Sequence, residues 1–325
     1  MHFSMPTAPR ITRPARRLMA LAGILAVLVT GCVQEPPPPP PPTPISTEIT
    51  VSGPGDEAPT VDFAVPYPVA VLETEIIWDA KGDRIEDGEP ILLRMYAVDG
   101  ATGEVQRNDF ESVPGVYRMD PQEIGTQMYD ALTQVTTGSR VQLVSPVGES
   151  SLVTVVDVFA AYATGDPNEM DPGLPRVTYG PGQEPNLDFS ELGDPPATLQ
   201  VQQLKTGRGQ QVAAHDLVLL QFVGAGWSTG EIFDSTWAPD KFPVAVTIGT
   251  DALIQGLDES LVGVPIGSQI MVVVPPELGF GPSENELANE TLVYVVDVLA
   301  ASSETARDTE TTTGPDAPEE TKPGE

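Results

Sequence analysis

The chain writes one pattern twice, and this repeat limits its fold more than any other feature. Gly53-Pro54-Gly55-Asp56-Glu57 leads to Val61-Asp62-Phe63, and Gly180-Pro181-Gly182-Gln183-Glu184 leads to Leu187-Asp188-Phe189. Residues 91–96 parallel 217–222, and 103–105 parallel 230–232. Residues 138–141 parallel 267–270, and 151–159 parallel 291–299. Matches in the same order imply two copies of one domain, and 325 residues leave room for about two.

The local pattern is mostly strand. Phe242, Val244, Val246 and Ile248 alternate with smaller or polar residues, a period of two that gives one buried face. Val218, Leu220 and Phe222 share a face of the preceding strand, while 268–274 and 292–299 are apolar and β-branched, as central strands are. Gly224-Ala225-Gly226 reads as a hairpin turn, and Pro275-Pro276 must end the strand before it, because proline cannot donate to a ladder. One short helix is expected in each copy. In the second, Asp251 is its candidate cap, Ile254, Leu257 and Leu261 form its apolar face, and Gly263 suits its exit. The expected class is therefore α+β, with each antiparallel sheet curved around one short α-helix.

The ends read differently. Arg10, Arg13, Arg16 and Arg17 precede an apolar run over 18–29 that is short for a bilayer span. Leu28-Val29-Thr30-Gly31-Cys32 follows and resembles a bacterial lipobox, in which Cys32 is acylated and becomes the first mature residue. The other reading is an uncleaved anchor helix with an incidental cysteine. On the lipobox reading, 1–31 is a signal peptide and the protein is extracytoplasmic, held at the cell membrane by lipid. Seven prolines at 36–42 favour a semi-rigid polyproline stalk over 32–52; a ligand for a proline-recognition domain is the alternative. The first copy then covers 53–163, a linker 164–179 and the second copy 180–302. The acidic stretch 303–325 has too few apolar residues to fold and is expected to be disordered.

Composition excludes several function classes. A net charge of −31 repels nucleic-acid phosphates. Cys32 is the only cysteine, so no internal disulfide can form. Beyond the leader His215 is the only histidine, which leaves zinc sites and most catalytic triads without ligands or bases. His215 reads as a surface turn residue, and neither a metal nor a cofactor is expected.

The second copy carries Phe233-Asp234-Ser235, Leu253-Ile254-Gln255-Gly256-Leu257, residues 274–281 and Thr291-Leu292-Val293-Tyr294. These blocks, in this order over about 198–301, resemble the FKBP-type peptidyl-prolyl isomerases. The resemblance implies an enzyme that turns X-Pro peptide bonds between cis and trans in unfolded or proline-containing exported polypeptides, with a macrolide as a candidate ligand of the same site. It implies that Phe222, Phe233, Asp234, Ile254, Leu257, Phe280 and Tyr294 form the catalytic pocket, with Val246, Leu253 and Leu287 contacting substrate. Leu253 and Ile254 would offer backbone groups to the peptide. Where the family usually has Tyr, Tyr and Trp, this chain has Phe222, Phe280 and Leu257. Each apolar residue taken singly is better read as a core residue of a small β domain. A non-catalytic FKBP-like chaperone or peptide-binding lipoprotein is the alternative function.

The first copy departs from the pattern. Gln106-Arg107 stands for Phe233-Asp234, Gly125 for Ile254 and Thr154 for Tyr294. Sixteen positions separate Pro275 from Thr291 but five separate Pro146 from Ser151, so eleven loop residues, including the Phe280 segment, are missing. This copy is expected to be catalytically silent.

Overall fold

The computed structural model describes residues 48–303 apart from Asp56 and Pro282. The leader, Cys32, the proline run and the chain from 304 onward lie outside the described residues. The first half contains β1 (Thr50–Ser52), β2 (Thr60–Asp62), β3 (Glu73–Trp78), β4 (Pro90–Asp99), β5 (Val105–Asn108), β6 (Gly115–Arg118), α1 (Pro121–Ile124), α2 (Thr126–Leu132), β7 (Arg140–Val147) and β8 (Ser150–Ala160). The second contains β9 (Asp166–Pro167), β10 (Arg176–Tyr179), β11 (Pro185–Asp188), β12 (Gln200–Thr206), β13 (Leu217–Gly226), β14 (Ile232–Ser235), β15 (Val244–Thr247), α3 (Gln255–Leu261), β16 (Gln269–Val274) and β17 (Leu292–Ser302).

These strands make two antiparallel sheets with one strand order. The first runs β3-β7-β8-β4-β5 with β6 also on β4; the second runs β12-β16-β17-β13-β14 with β15 also on β13. Each is preceded by a hairpin, β1–β2 or β10–β11, which carries the Gly-Pro-Gly sequence in its turn. Helix α3 lays Leu257 and Leu261 on a core with Val218, Leu220, Val272 and Tyr294. Gly256 permits that approach, since a Cβ there would lie 2.5 Å from Val274 Cγ1. The corresponding first core gathers Leu132, Leu93, Met95 and Val141. On their other faces the two sheets meet through Leu92, Ala161, Leu219 and Ala300.

Several expectations need correction. Asp251 does not cap α3. It sits in left-handed backbone (φ 58), the N-cap is Ile254 with no side-chain bond, and Asp258 instead accepts the Gly249 N–H at 3.0 Å with both carboxylate oxygens. The first sheet carries two helical segments rather than one, because Gly125 (φ 82) breaks the helix between Ile124 and Thr126. Gly224-Ala225-Gly226 is not a turn but the buried end of β13. The segment 164–179 is not a free linker. Its β9 joins the edge of the second sheet at β12, and Met170 and Leu174 pack with Val177 and Trp227.

The repeat itself is shifted by one residue on its central strand. Asp157 lies opposite Arg94, and Asp297 lies opposite Gln221. The Met95 N–H donates to Asp109 at 3.1 Å, as the Phe222 N–H donates to Thr236 at 2.8 Å. Met95, not Tyr96, is therefore the partner of Phe222. A slip of one residue exchanges the two faces of a strand, and the register the sheets adopt is the one that matches Leu92-Leu93-Arg94 to Leu219-Leu220-Gln221.

Each sheet also keeps a buried carboxylate on its last strand. Asp157 takes a two-pronged ion pair from Arg140, whose other N–H groups reach the carbonyls of Gly53 and Pro54 at 3.2 and 2.9 Å. Among the described residues Asp297 has no cation in hydrogen-bond contact. It accepts from the Ala163 N–H at 2.7 Å and the Gln269 amide at 2.6 Å, and burial pushes its pKa up to about 6.

Candidate active site

The site lies where β13, β14, β15, β17 and the start of α3 face one another. In β13, side chains alternate between faces, so Leu220 and Phe222 point to the α3 side. Across the ladder Tyr294 stands opposite Gly224 on β13, and Val246 of β15 stands opposite Val218. Ile254 and Leu257 arrive from the first turn of α3, and Phe280 from the loop between β16 and β17.

Together they enclose a cavity of about 390 Å³. Phe222, Asp234, Val246, Leu253, Ile254, Leu257, Phe280 and Tyr294 all line it, which places eight of the ten pocket residues expected from sequence on one wall system. The other two stand behind it. Phe233 meets Tyr294 edge-on at 5.6 Å and Phe280 at 6.5 Å, while Leu287 packs on the same core from the loop. Phe222 lies 6.1 Å from Tyr294, so the four rings make one cluster, each such pair contributing about 0.5–1.5 kcal/mol beyond area burial.

Gly224 is required for that cluster. A Cβ on it would sit 2.8 Å from the Tyr294 ring and 2.9 Å from the Phe233 ring. The polar rim is Asp234 with Lys241, 3.6 Å apart and both about half exposed, a geometry that contributes little to stability. Burial, and then the Asp234 charge, push the Tyr294 phenol above its ordinary value. Thr236 ties β14 to β13 beneath the site: its hydroxyl accepts the Phe222 N–H at 2.8 Å, and its own N–H donates to the Phe222 carbonyl at 2.9 Å.

Sequence reasoning took Gly224 as part of a turn and did not single out Lys241. The Gly-x-Gly spelling at 224–226 suggests a turn, and nothing local marks Lys241. His215 is where it was expected, exposed in the turn before β13. Among the described residues no group of three or more His, Cys, Asp or Glu could hold a metal, and no helix is long and apolar enough to cross a membrane.

In the first sheet the matching positions cannot form such a cavity wall. Arg107 stands opposite Ala97 where Asp234 stands opposite Gly224, and Thr154 takes the place of Tyr294. Arg107 donates to Asp109 and to the Tyr117 hydroxyl, so its charge is used within the sheet. Strands β7 and β8 join directly at Gly148-Glu149, with no loop to bring in a counterpart of Phe280.

The family model for FKBP-type peptidyl-prolyl cis-trans isomerase matches residues 209–299, which include every wall of this cavity. The FK506-binding protein of Streptomyces anulatus is 31% identical over 122 residues, covering 36% of this chain and 97% of that relative. The probable FK506-binding protein of Corynebacterium glutamicum is 29% identical over 124 residues, covering 37% of this chain and 99% of that relative. Among solved structures, the three FKBP domains of wheat FKBP73 cover 72% of this chain and 95% of theirs, with 16% identity and a TM-score of 0.31. The chain belongs to the FKBP-type peptidyl-prolyl cis-trans isomerase family.

Proposed function

We propose that this protein is a lipid-anchored peptidyl-prolyl isomerase that speeds X-Pro rotation in exported polypeptides. The observation that carries the reading is the convergence of Phe222, Ile254, Leu257, Phe280 and Tyr294 on one cavity with a single carboxylate, Asp234, at its rim. Rotation about an amide must cross ~18–20 kcal/mol because resonance is lost in the twisted state. No bond is cut, so no nucleophile is needed. An apolar cavity strips water from the charge-separated planar amide and so favours the twisted one. The rings would hold the proline, Leu253 and Ile254 would face the flanking peptide, and Val246 and Leu287 would support the walls.

On this reading the first sheet is catalytically silent and the β13–β17 half is the enzyme. FK506, the ligand in the names of the bacterial relatives, is expected to compete with peptide for the cavity. The decisive measurement is the cis/trans relaxation rate of a short X-Pro peptide with the whole chain. Acceleration that falls about tenfold or more in Phe233→Ala and Asp234→Ala supports it. An intact protein that leaves the rate unchanged overturns it, and peptide binding without acceleration would establish the non-catalytic reading. Anchoring through Cys32 has a separate test: Cys32→Ser should release the protein from membranes, and retention would refute it.

A further inference from the structure

Trp237 follows Thr236, and its indole Nε1 is buried with no hydrogen-bond partner among the described residues. The other two tryptophans are mated: Trp78 Nε1 donates to the Gly138 carbonyl at 3.1 Å, and Trp227 Nε1 to that of Gly193 at 3.2 Å. Gln221, 1% exposed, likewise leaves both Oε1 and Nε2 without a partner among the described residues. Gln221 adjoins Phe222 in β13, so its side chain leaves by the face opposite the proline cavity. There Gln221 and Trp237 wall a second cavity of about 210 Å³, which Glu89 and Tyr162 line from the first half of the chain. Thr236 and Lys241 line both cavities, so the two share a wall.

The matching place in the first sheet also opens on a cavity, of about 420 Å³, but a guanidinium rather than an amide lines it. Arg94 corresponds to Gln221, and Phe110 follows Asp109 as Trp237 follows Thr236. Arg94 donates to the Ser112 carbonyl at 3.2 Å and lies 5.7 Å from the Phe110 ring and 5.8 Å from the Phe159 ring. In the second sheet the same two positions carry an amide and an indole, whose donor and acceptor atoms are buried beside the cavity. Buried polar atoms are nearly always mated, so three unmated atoms on one cavity wall call for a ligand. The side-chain amide of Gln221 is complementary to another amide, donor to acceptor and acceptor to donor. Trp237 Nε1 can give a further hydrogen bond to its carbonyl. Glu89 adds a group of adjustable protonation, its carboxyl raised by burial and then by Glu86.

We propose that this cavity is a second peptide subsite, which binds a main-chain amide of the client a few residues from the proline. The continuity of one client through both cavities rests on the isomerase reading above; the amide site does not. Through Glu89 and Tyr162, the silent first half then contributes to client binding.

The test uses the whole chain with its tryptophan indoles labelled for NMR, and a short proline-free peptide of alanine and serine as probe. The expected result is a shift of the Trp237 indole N–H, with Trp78 and Trp227 unmoved, and its loss in Gln221→Met. In a second arm, an X-Pro tetrapeptide is compared with an X-Pro peptide of about ten residues. Gln221→Met, and independently Trp237→Phe, should weaken the longer peptide about tenfold and leave the tetrapeptide within about twofold. No Trp237 shift with any peptide would mean that the cavity holds water only, and would overturn the proposal. Equal weakening of both peptides would do the same, since it would assign Gln221 to the support of Phe222. A Trp237 shift in a protein that does not accelerate X-Pro rotation would support this subsite while sinking the isomerase reading.

Discussion

Gly224 lies directly opposite Tyr294 across the β13–β17 ladder, and its missing side chain is what lets the Tyr294 and Phe233 rings meet. The first sheet has Ala97 opposite Thr154 at the same place, where no ring pair needs the room. Gly224→Ala should therefore push both rings, costing about 1–3 kcal/mol as overpacking does. It should also lower kcat/KM for an X-Pro peptide by about tenfold. Urea denaturation and the peptide assay check the two effects. Full activity in a destabilised Gly224→Ala protein would mean that the rings matter to packing and not to the site.

Thr236 grips the Phe222 backbone on both sides of its Cα, through the N–H at 2.8 Å and the carbonyl at 2.9 Å. Thr236→Val keeps the shape and removes the acceptor, leaving the Phe222 N–H short of a partner, at a cost of about 1–3 kcal/mol. Phe222 would then be held less firmly in the cavity wall. The expected signature is a raised KM for X-Pro peptides with kcat less affected, restored in Thr236→Ser. A variant whose stability falls but whose KM does not move would restrict Thr236 to a structural part.

The two sheets could be read from the chain because they repeat. The motif order anticipated matching strand orders, and the alternation at Val218, Leu220 and Phe222 put these residues on the α3 side. The cavity walls were legible through the family resemblance, because Phe, Ile, Leu and Tyr in a β domain look the same in a core as in a pocket. What failed has a physical pattern. Gly224 was misread because a glycine that admits a neighbour's ring is spelled like one that makes a turn. Asp251 looked like a cap, but a cap depends on backbone torsions that composition does not set. The one-residue offset at Met95 was marked only by the single polar residue of each stretch, Arg94 and Gln221, among apolar neighbours that match in either register. Lys241 meets Asp234 only through the path of the intervening loop, and Trp237 shares its cavity with Glu89 and Tyr162, far away in sequence.

Arg140 is fully buried against Asp157, lies 4.4 Å from the Trp78 ring, and ties the Gly53-Pro54 turn to the sheet. Arg140→Ala strands a buried carboxylate and should cost about 3–5 kcal/mol. The second sheet meets the same problem with Gln269 against Asp297, so Arg140→Gln should cost less than the alanine variant, since an amide can still donate to Asp157. Equal losses in urea denaturation would show that charge, rather than hydrogen bonding, satisfies Asp157.

Asp297 makes the stability of the second sheet depend on pH in the unusual direction. Burial raises its pKa from 3.8 to about 6, against the lowering effects of the Ala163 N–H, the Gln269 amide and the Lys205 charge. Below about pH 4 the group is protonated in both the folded and the unfolded chain, and burying it carries no charge penalty. Between about pH 4 and 6 the unfolded chain releases the proton and the folded chain keeps it, so stability falls as pH rises. Above about pH 6 the buried charge is complete and the penalty reaches roughly 3 kcal/mol. Asp297→Asn removes the charge and keeps an oxygen for the Ala163 N–H, while Gln269 can turn its amide to accept from the new NH₂. The variant should match or exceed the parent near pH 7, and lose that advantage as pH falls to about 4. Urea midpoints of both proteins across this range check it. A difference between them that does not change with pH would mean that hydrogen bonding at Asp297, and not its charge, sets the cost of the substitution.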